Sequence, residues 1–342
     1  MVVLTRSKLF SILGLLFLLL IGSVLLTLFF GPAQINLKLP EVFSQFSALL
    51  RSQELSKDGT ILFRIRLPRA LLAVLVGGGL ALAGASFQAL LRNPLADPYI
   101  LGVSGGSALT AIIGMIIAAS SSFVTVPVFA FGGALAAIFL VLAVARTGGK
   151  LPVITLLLAG VVVNSFFSAL VMFVLSVAST QHLPSAIYWM MGQISSKNYS
   201  TVGMVAVYFV PGIVVLLSLS RDFNLFSLGE ESAQQLGVNT ERSKLIAFIA
   251  ASLLTAVAVS VSGLIGFVGL MVPHIIRLVF GPDHRLLLPA SFLFGGIFLV
   301  LCDLISRTLI APAELPVGVI TAVLGGPFFI WLLRQSRERM IR

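Results

Sequence analysis

The sequence predicts an all-α integral membrane protein, and three observations carry this prediction. Of its 342 residues, 58% are hydrophobic and only 10% are charged, which leaves too little polar surface to cover a water-soluble globule of this size. The apolar stretches reach roughly 20 residues, the length that a helix needs to cross a bilayer. Alternating strands of about ten residues, the pattern of a membrane β-barrel, are absent.

Ten apolar stretches predict ten transmembrane helices in a single transmembrane domain, residues 1–342. They lie at about 9–30, 67–91, 97–119, 128–146, 152–178, 201–220, 243–263, 266–280, 286–309 and 317–333. The first is longer than a signal-peptide core and lacks a small-residue cleavage site, so it is expected to be a helix. Glycines within the stretches are expected to let helix backbones approach closely.

The charges indicate how the chain lies in the membrane. If both termini are cytoplasmic, most of the 22 Lys and Arg residues fall in interior segments, as the positive-inside rule requires. The net charge of +10 therefore indicates membrane orientation and anionic lipid, and no nucleic-acid partner is expected. The exterior segment 31–65 is long enough for a short surface helix, and Leu183 to Met191 is expected to form a second one.

The largest interior connection, residues 221–240 and here called the inner loop, is predicted to dock a partner. Gly229 permits a sharp turn between two short amphipathic helices, and acidic residues follow it near a helix start. The candidate residues are Phe223, Leu225, Leu228, Gly229, Glu230, Glu231 and Gln235. The alternative is a helical hairpin in the headgroup region, against which acidic residues beside anionic lipid argue mildly.

Polar residues in or beside the spans have two interpretations each. Asp303 and Arg307 are one helical turn apart, and Arg66 and Arg69 precede the second span; they are either interfacial anchors with an ion pair or a functional group. A polar stripe on the fifth span either lines a pore or hydrogen-bonds a neighbouring helix. This stripe consists of Asn164, Ser165 and Ser168.

Several kinds of chemistry are not indicated. The P-loop pattern is absent, so any ATP energy must come from a partner. The three histidines are dispersed and Cys302 is alone in an apolar run, which indicates neither a metal site nor an acid/base enzyme. The rival classes are an ion-coupled secondary transporter, which needs ionisable residues in the membrane, and a membrane-embedded hydrolase, which needs a catalytic constellation.

A resemblance adds to these observations. The motifs that carry it are Arg66-Leu-Pro-Arg-Ala70, Gly84-Ala-Ser-Phe-Gln-Ala-Leu-Leu-Arg-Asn-Pro-Leu-Ala-Asp-Pro98, Leu101-Gly-Val-Ser-Gly-Gly106, the segment from Leu228 to Gly237, Gly266-Phe-Val-Gly-Leu-Met-Val-Pro-His-Ile-Ile-Arg277 and Ala313-Glu-Leu-Pro-Val-Gly318. In this order and spacing, residues 60 to 333 resemble the permease subunit of FecCD-like, type II ABC importers for iron-siderophore, haem and cobalamin.

The resemblance implies an assembly in a bacterial or archaeal cytoplasmic membrane. A ten-helix subunit pairs with a second permease copy, two cytoplasmic ATPase subunits that bind ATP and Mg, and an extracytoplasmic binding protein. The chain itself binds no cofactor, is not catalytic, and passes a metal chelate, with iron-siderophore as the first expectation.

The resemblance also assigns residues. It makes the loop from Asp222 to Gly237 the coupling helices that contact the ATPase. It assigns Arg66, Arg69 and Arg307 to salt bridges with the binding protein, and places Asn93 and Leu95 near the inner gate. The chain departs from a cobalamin permease of this family at Val153 and Ile154, where that permease has small hydroxyl residues at a gate.

Overall fold

The computed structural model describes residues 5–33, 35, 39–51, 53–117, 125–194 and 198–341, which form helices joined by turns. The helices are α1 (Arg6–Phe29), α2 (Leu39–Leu50), α3 (Lys57–Thr60), α4 (Leu67–Leu90), α5 (Val103–Ile117), α6 (Thr125–Ala145), α7 (Val153–Val177), α8 (Leu183–Met190), α9 (Tyr199–Ser218), α10 (Ser220–Phe226), α11 (Glu230–Gln235), α12 (Thr240–Ser262), α13 (Val268–Phe280), α14 (His284–Thr308) and α15 (Val317–Ile341). A π-helical turn, Ile61–Arg66, leads into α4, and a 3-10 turn, Pro98–Leu101, precedes α5.

Each predicted span overlaps one apolar helix, which confirms the all-α membrane fold class. Within the described residues, seven helical segments are long and apolar enough to cross a bilayer, and α5, α13 and the apolar part of α15 are shorter. Since α13 has 13 residues, it extends only about 20 Å, less than the hydrocarbon core. Ten crossings therefore stay a prediction. The predicted end of the third span at 119 lies outside the described residues.

Helix α4 lies at the centre of the fold and packs against α1, α9, α12, α13 and α14. Glycines allow two of these contacts. A Cβ on Gly77 would lie 2.3 Å from the Gly295 carbonyl oxygen, and one on Gly84 would lie 1.8 Å from that of Gly269. Neither distance is sterically possible, so these glycines bring α4 into backbone contact with α14 and α13, as the sequence predicted.

Helices α5, α6 and α7 form a second group, which α12 joins to the first. The most apolar part of α7 has only 22% of its residues buried within the chain, compared with 83% for the α4 segment. Much of α7 therefore faces lipid or a partner that lies outside this chain.

Short helices lie between the long ones, at the places where the sequence predicted them. Helix α2 lies in the exterior segment, α8 follows α7, and α10 and α11 lie on either side of Gly229. The end of the fold that holds α2 and α8 is called the outer end below, and the end that holds α10 and α11 is called the inner end.

Candidate functional site

The inner loop turns sharply at Gly229, whose φ is +109° and ψ is 154°. L-residues rarely adopt this backbone conformation, so glycine is required for the turn. The turn leaves Leu228 63% exposed, with Glu231 and Gln235 also exposed. Phe223 is buried against the ring of His284, so it anchors the loop to the fold.

Side-chain hydrogen bonds hold α10 to two transmembrane helices. The Asn224 amide donates to the Asp283 carboxylate at 2.9 Å, and its oxygen accepts the backbone N–H of His284 at the same distance. Ser243 on α12 donates its hydroxyl to Asp222. Hydrogen bonds from Arg285 and from Asn224 lower the pKa of Asp283 to about 2, so this carboxylate stays ionised at neutral pH.

Helix α11 is held by a buried lysine. The ammonium group of Lys244 contacts Glu230, lies 2.6 Å from Glu241, and donates to the carbonyl oxygen of Leu151 at 3.1 Å. The second Glu241 oxygen accepts the N–H of Leu151 at 2.7 Å. These four residues are here called the inner junction, and two of them, Glu230 and Lys244, line a small cavity together with Val153. The junction therefore joins α11, α12 and the start of α7.

The turn between α4 and α5 holds the predicted inner-gate residues. The Asn93 side chain accepts the N–H of Leu95 at 2.9 Å, which leaves the Leu95 side chain 42% exposed. Asp97 then caps the 3-10 turn by accepting the N–H of Tyr99 at 2.8 Å.

The predicted polar stripe of α7 divides between two faces. Asn164 faces α5, and its Oδ1 accepts a hydrogen bond from the Ser104 hydroxyl at 3.2 Å. For Asn164, the structure therefore agrees with the alternative of a hydrogen bond to a neighbouring helix. Ser165 and Ser168 lie on the exposed side of the helix, and Ile154 is 74% exposed. Of the predicted pathway residues on α7, Ile154, Ser165 and Ser168 are therefore exposed in this chain, whereas Asn164 contacts α5.

An outer ion cluster joins the start of α4 to the end of α14. Arg69 Nε donates to both Asp303 oxygens at 3.0 and 3.2 Å, and Arg69 Nη1 lies 2.9 Å from the Glu314 carboxylate. Arg307 Nε lies 3.1 Å from Asp303, which is the ion pair of the first of the two interpretations left open above. Asp303 is thus a buried carboxylate between two guanidinium groups, the pairing that buried charges require.

The three arginines predicted to dock a partner are all buried within the chain. Arg66 is 4% exposed, Arg69 7% and Arg307 5%. Arg66 donates to the carbonyl oxygens of Leu28, in the last turn of α1, at 2.7 Å and of Ala33, just after α1, at 2.5 Å. The docking role stays a prediction, and the geometry adds that these cations already have partners of their own.

Sequence reasoning missed three charged members of these clusters, Glu314, Glu241 and Lys244, and also Leu151. Glu314 lies 245 positions from Arg69, and no local pattern indicates such a contact. Glu241 and Lys244 have the i, i+3 spacing of a helical ion pair, which is the one readable signal. Among the described residues, no group of three or more His, Cys, Asp or Glu could hold a metal ion.

Comparisons with known proteins agree with this architecture. The sequence profile of the FecCD transport family matches residues 18–335. The cobalamin import system permease protein BtuC of Halobacterium salinarum is 45% identical over 277 residues, which cover 81% of this chain and 74% of that protein. The Fe(3+)-citrate import system permease protein YfmD of Bacillus subtilis is 39% identical over 283 residues, 83% of this chain and 84% of that protein.

A solved structure shows the same fold. It is an inward-facing conformation of a protein described as a metal-chelate type ABC transporter. Its TM-score with this chain is 0.82 and its sequence identity is 33%. The match covers 95% of this chain and 99% of that chain.

These findings confirm the resemblance described above. The chain is a multi-pass transport permease of the cytoplasmic membrane, and it is not itself an enzyme. These relatives are permeases of import systems and the solved structure is that of an ABC transporter, which decides against an ion-coupled secondary transporter and a membrane hydrolase. With a profile match over most of its length and relatives well above 30% identity, this chain belongs to the FecCD transport family.

Proposed function

We propose that this chain forms the translocation pathway of an ATP-driven, binding-protein-dependent importer of a metal chelate. A ferric siderophore is the first candidate cargo, and haem and cobalamin are the others. The observation that carries the proposal is the inner loop, which presents Leu228 outward while partly buried hydrogen bonds join it to α12 and α14. Lys244, which contacts Glu230 of this loop, also links it to Leu151 just before α7. A permease without a P-loop needs such a connection to receive the energy of ATP hydrolysis in another subunit.

The inner loop is the proposed contact with the ATPase pair, which binds ATP and Mg. A groove of about 560 Å³ opens beside the turn. Its lining residues are Arg92, Leu228, Gly229, Glu230, Glu231, Ser232 and Gln234. An apolar tip flanked by acidic side chains suits a cleft on the partner that is partly apolar and partly basic. With the inner loop on the cytoplasmic side and ten crossings, both termini of the chain are cytoplasmic in this proposal.

A second permease copy completes the pathway in this proposal. The exposed side of α7 carries Ile154, Ser165 and Ser168, so two copies that face each other along α7 would enclose a passage lined by both apolar and hydroxyl side chains. Val153 and Asn93 lie near its inner mouth. Native mass measurement of the purified complex should give two permease copies, and an active complex with one copy would contradict this arrangement.

Docking of the binding protein is proposed at the outer ion cluster. Arg69 and Glu314 line a cavity of about 300 Å³ at the outer end, together with Tyr188 and Gln193. Arg69 is therefore the most accessible of the three candidate arginines, and it could exchange Glu314 for a carboxylate of the partner. Arg66 and Arg307 would support this site from within.

A transport assay with three cargoes tests the proposal. The chain is assembled with its ATPase and binding protein in proteoliposomes, and the accumulation of ferric siderophore, haemin and cobalamin is measured with ATP. Val153 and Ile154 stand where a cobalamin permease of the family has small hydroxyl residues, so cobalamin is placed after ferric siderophore as the expected cargo. Accumulation of cobalamin alone would overturn the cargo assignment. If the complex hydrolyses ATP but accumulates none of the three cargoes, the proposal that it imports these chelates would be overturned.

A further inference from the structure

We infer that Lys244 is a positioning residue that transmits movement of the inner loop to the first turn of α7. This inference rests on the proposed function, in which the inner loop follows the ATPase. It adds a defined route from the loop to the helix that carries the proposed pathway residues.

The contacts of the inner junction define this route. Glu230 is the first residue of α11, directly after the Gly229 turn, and its carboxylate contacts the Lys244 ammonium. Lys244 donates to the carbonyl oxygen of Leu151, and Glu241 accepts the N–H of the same residue. Both backbone polar groups of Leu151 are therefore held by α12 side chains, two residues before α7 begins.

Burial makes this link stiff. Lys244 is 5% exposed, so its ammonium group has little water to replace the Glu230 carboxylate, and only Glu241 and the Leu151 carbonyl oxygen stay beside it if Glu230 moves away. By contrast, the Arg92 side chain lies 4.0 Å from Glu230 and is 46% exposed, and such a surface pair contributes little. A displacement of α11 is therefore expected to move Lys244 and Leu151 with it.

Leu151 lies just before α7, so its movement would affect the orientation of this helix. Helix α7 is one of the least buried long helices, and within this chain it packs mainly against α5, α6 and the 3-10 turn. Val153, in the first turn of α7, lines the same small cavity as Glu230 and Lys244, so α7 begins directly beside the contact of the inner loop. Movement at Leu151 would therefore reorient Ile154 and the exposed serines of α7.

Two substitutions break the junction from different sides. Lys244→Met removes the shared cation, and Glu241→Ala releases the N–H of Leu151 while leaving the Lys244 contact with Glu230 in place. Arg242→Met is the matched control, because Arg242 lies in the same turn of α12 and is exposed. Each variant is assembled into the full complex in proteoliposomes, and cargo taken up per ATP hydrolysed is measured.

We expect both junction variants to hydrolyse ATP but to lose roughly 2- to 30-fold in uptake per ATP, the range that coupling contacts carry. The control should keep the wild-type ratio. A purely structural role would reduce the amount of complex and leave the ratio unchanged, and an unchanged ratio in assembled Glu241→Ala would overturn the inference even if Lys244→Met fails to assemble. Absence of ATP-dependent uptake in the wild-type complex would instead count against the proposed function.

Discussion

Replacing Gly229 by valine is expected to stop cargo uptake while the assembled complex continues to hydrolyse ATP. The φ of +109° and ψ of 154° at this position lie in a region that only glycine adopts readily, and holding another residue there costs about 1–3 kcal/mol. That cost corresponds to a roughly 5- to 150-fold loss in the population of the native turn. A Cβ at this position would meet only the Ser232 hydroxyl, at 3.9 Å, so the effect comes from backbone strain and not from a clash.

Gly281 provides the matched control for this variant. It has a φ of +95° at the end of α13, also at the inner end, and a Cβ there would meet nothing within 4 Å. Gly281→Val should lower stability to a similar degree but keep the wild-type ratio of uptake to ATP hydrolysis. Normal uptake by an assembled Gly229→Val complex would remove the inner loop from the coupling mechanism.

Replacing Arg69 by methionine is expected to destabilise the protein by about 3–5 kcal/mol, because it removes one partner from a buried ion pair. Asp303 would keep only Arg307, and Glu314 would lose its contact. Unfolding of the purified protein in detergent measures this loss. Arg64→Met is the control: Arg64 is exposed in the preceding π-helical turn, and its loss should change stability by no more than about 0.5 kcal/mol.

Glu314→Gln separates docking from internal stabilisation at the same cluster. The Glu314 side chain is 48% exposed, so its neutralisation disturbs the fold less than the loss of Arg69. If Arg69 docks the binding protein, Glu314→Gln should strengthen binding because the internal competitor for Arg69 has been weakened. Unchanged or weaker affinity in a binding titration with the assembled complex would assign Arg69 to the fold alone.

Local patterns were enough to predict the helices and the turn of the inner loop. Hydropathy located every apolar helix, and the glycine at 229 indicated a turn whose left-handed backbone the structure shows. The i, i+4 spacing of Asp303 and Arg307 indicated an ion pair as part of one of two interpretations, and the structure shows this pair. These features depend on residues within a few positions of each other, which a single sequence displays directly.

Contacts between distant segments could not be predicted in this way. Arg69 and Asp303 are 234 positions apart, and the sequence does not show that α4 and α14 bring them together. For the same reason, Arg66 and Arg69 looked like outward-facing cations, while the structure gives them internal partners. Asn164 also belongs to a readable polar stripe, but which neighbouring helix it faces depends on the packing of α5 against α7.

The energy source of transport tests the central claim most directly. Proteoliposomes that contain the complete complex are prepared with the same ion concentrations inside and outside. Uptake of the cargo is then measured with ATP, with a non-hydrolysable ATP analogue, and with an ATPase variant that cannot hydrolyse ATP. An ATP-driven importer should accumulate cargo only with ATP and the intact ATPase, and ionophores should leave the rate unchanged. Accumulation that follows an imposed proton or sodium gradient and continues without ATP would contradict the account.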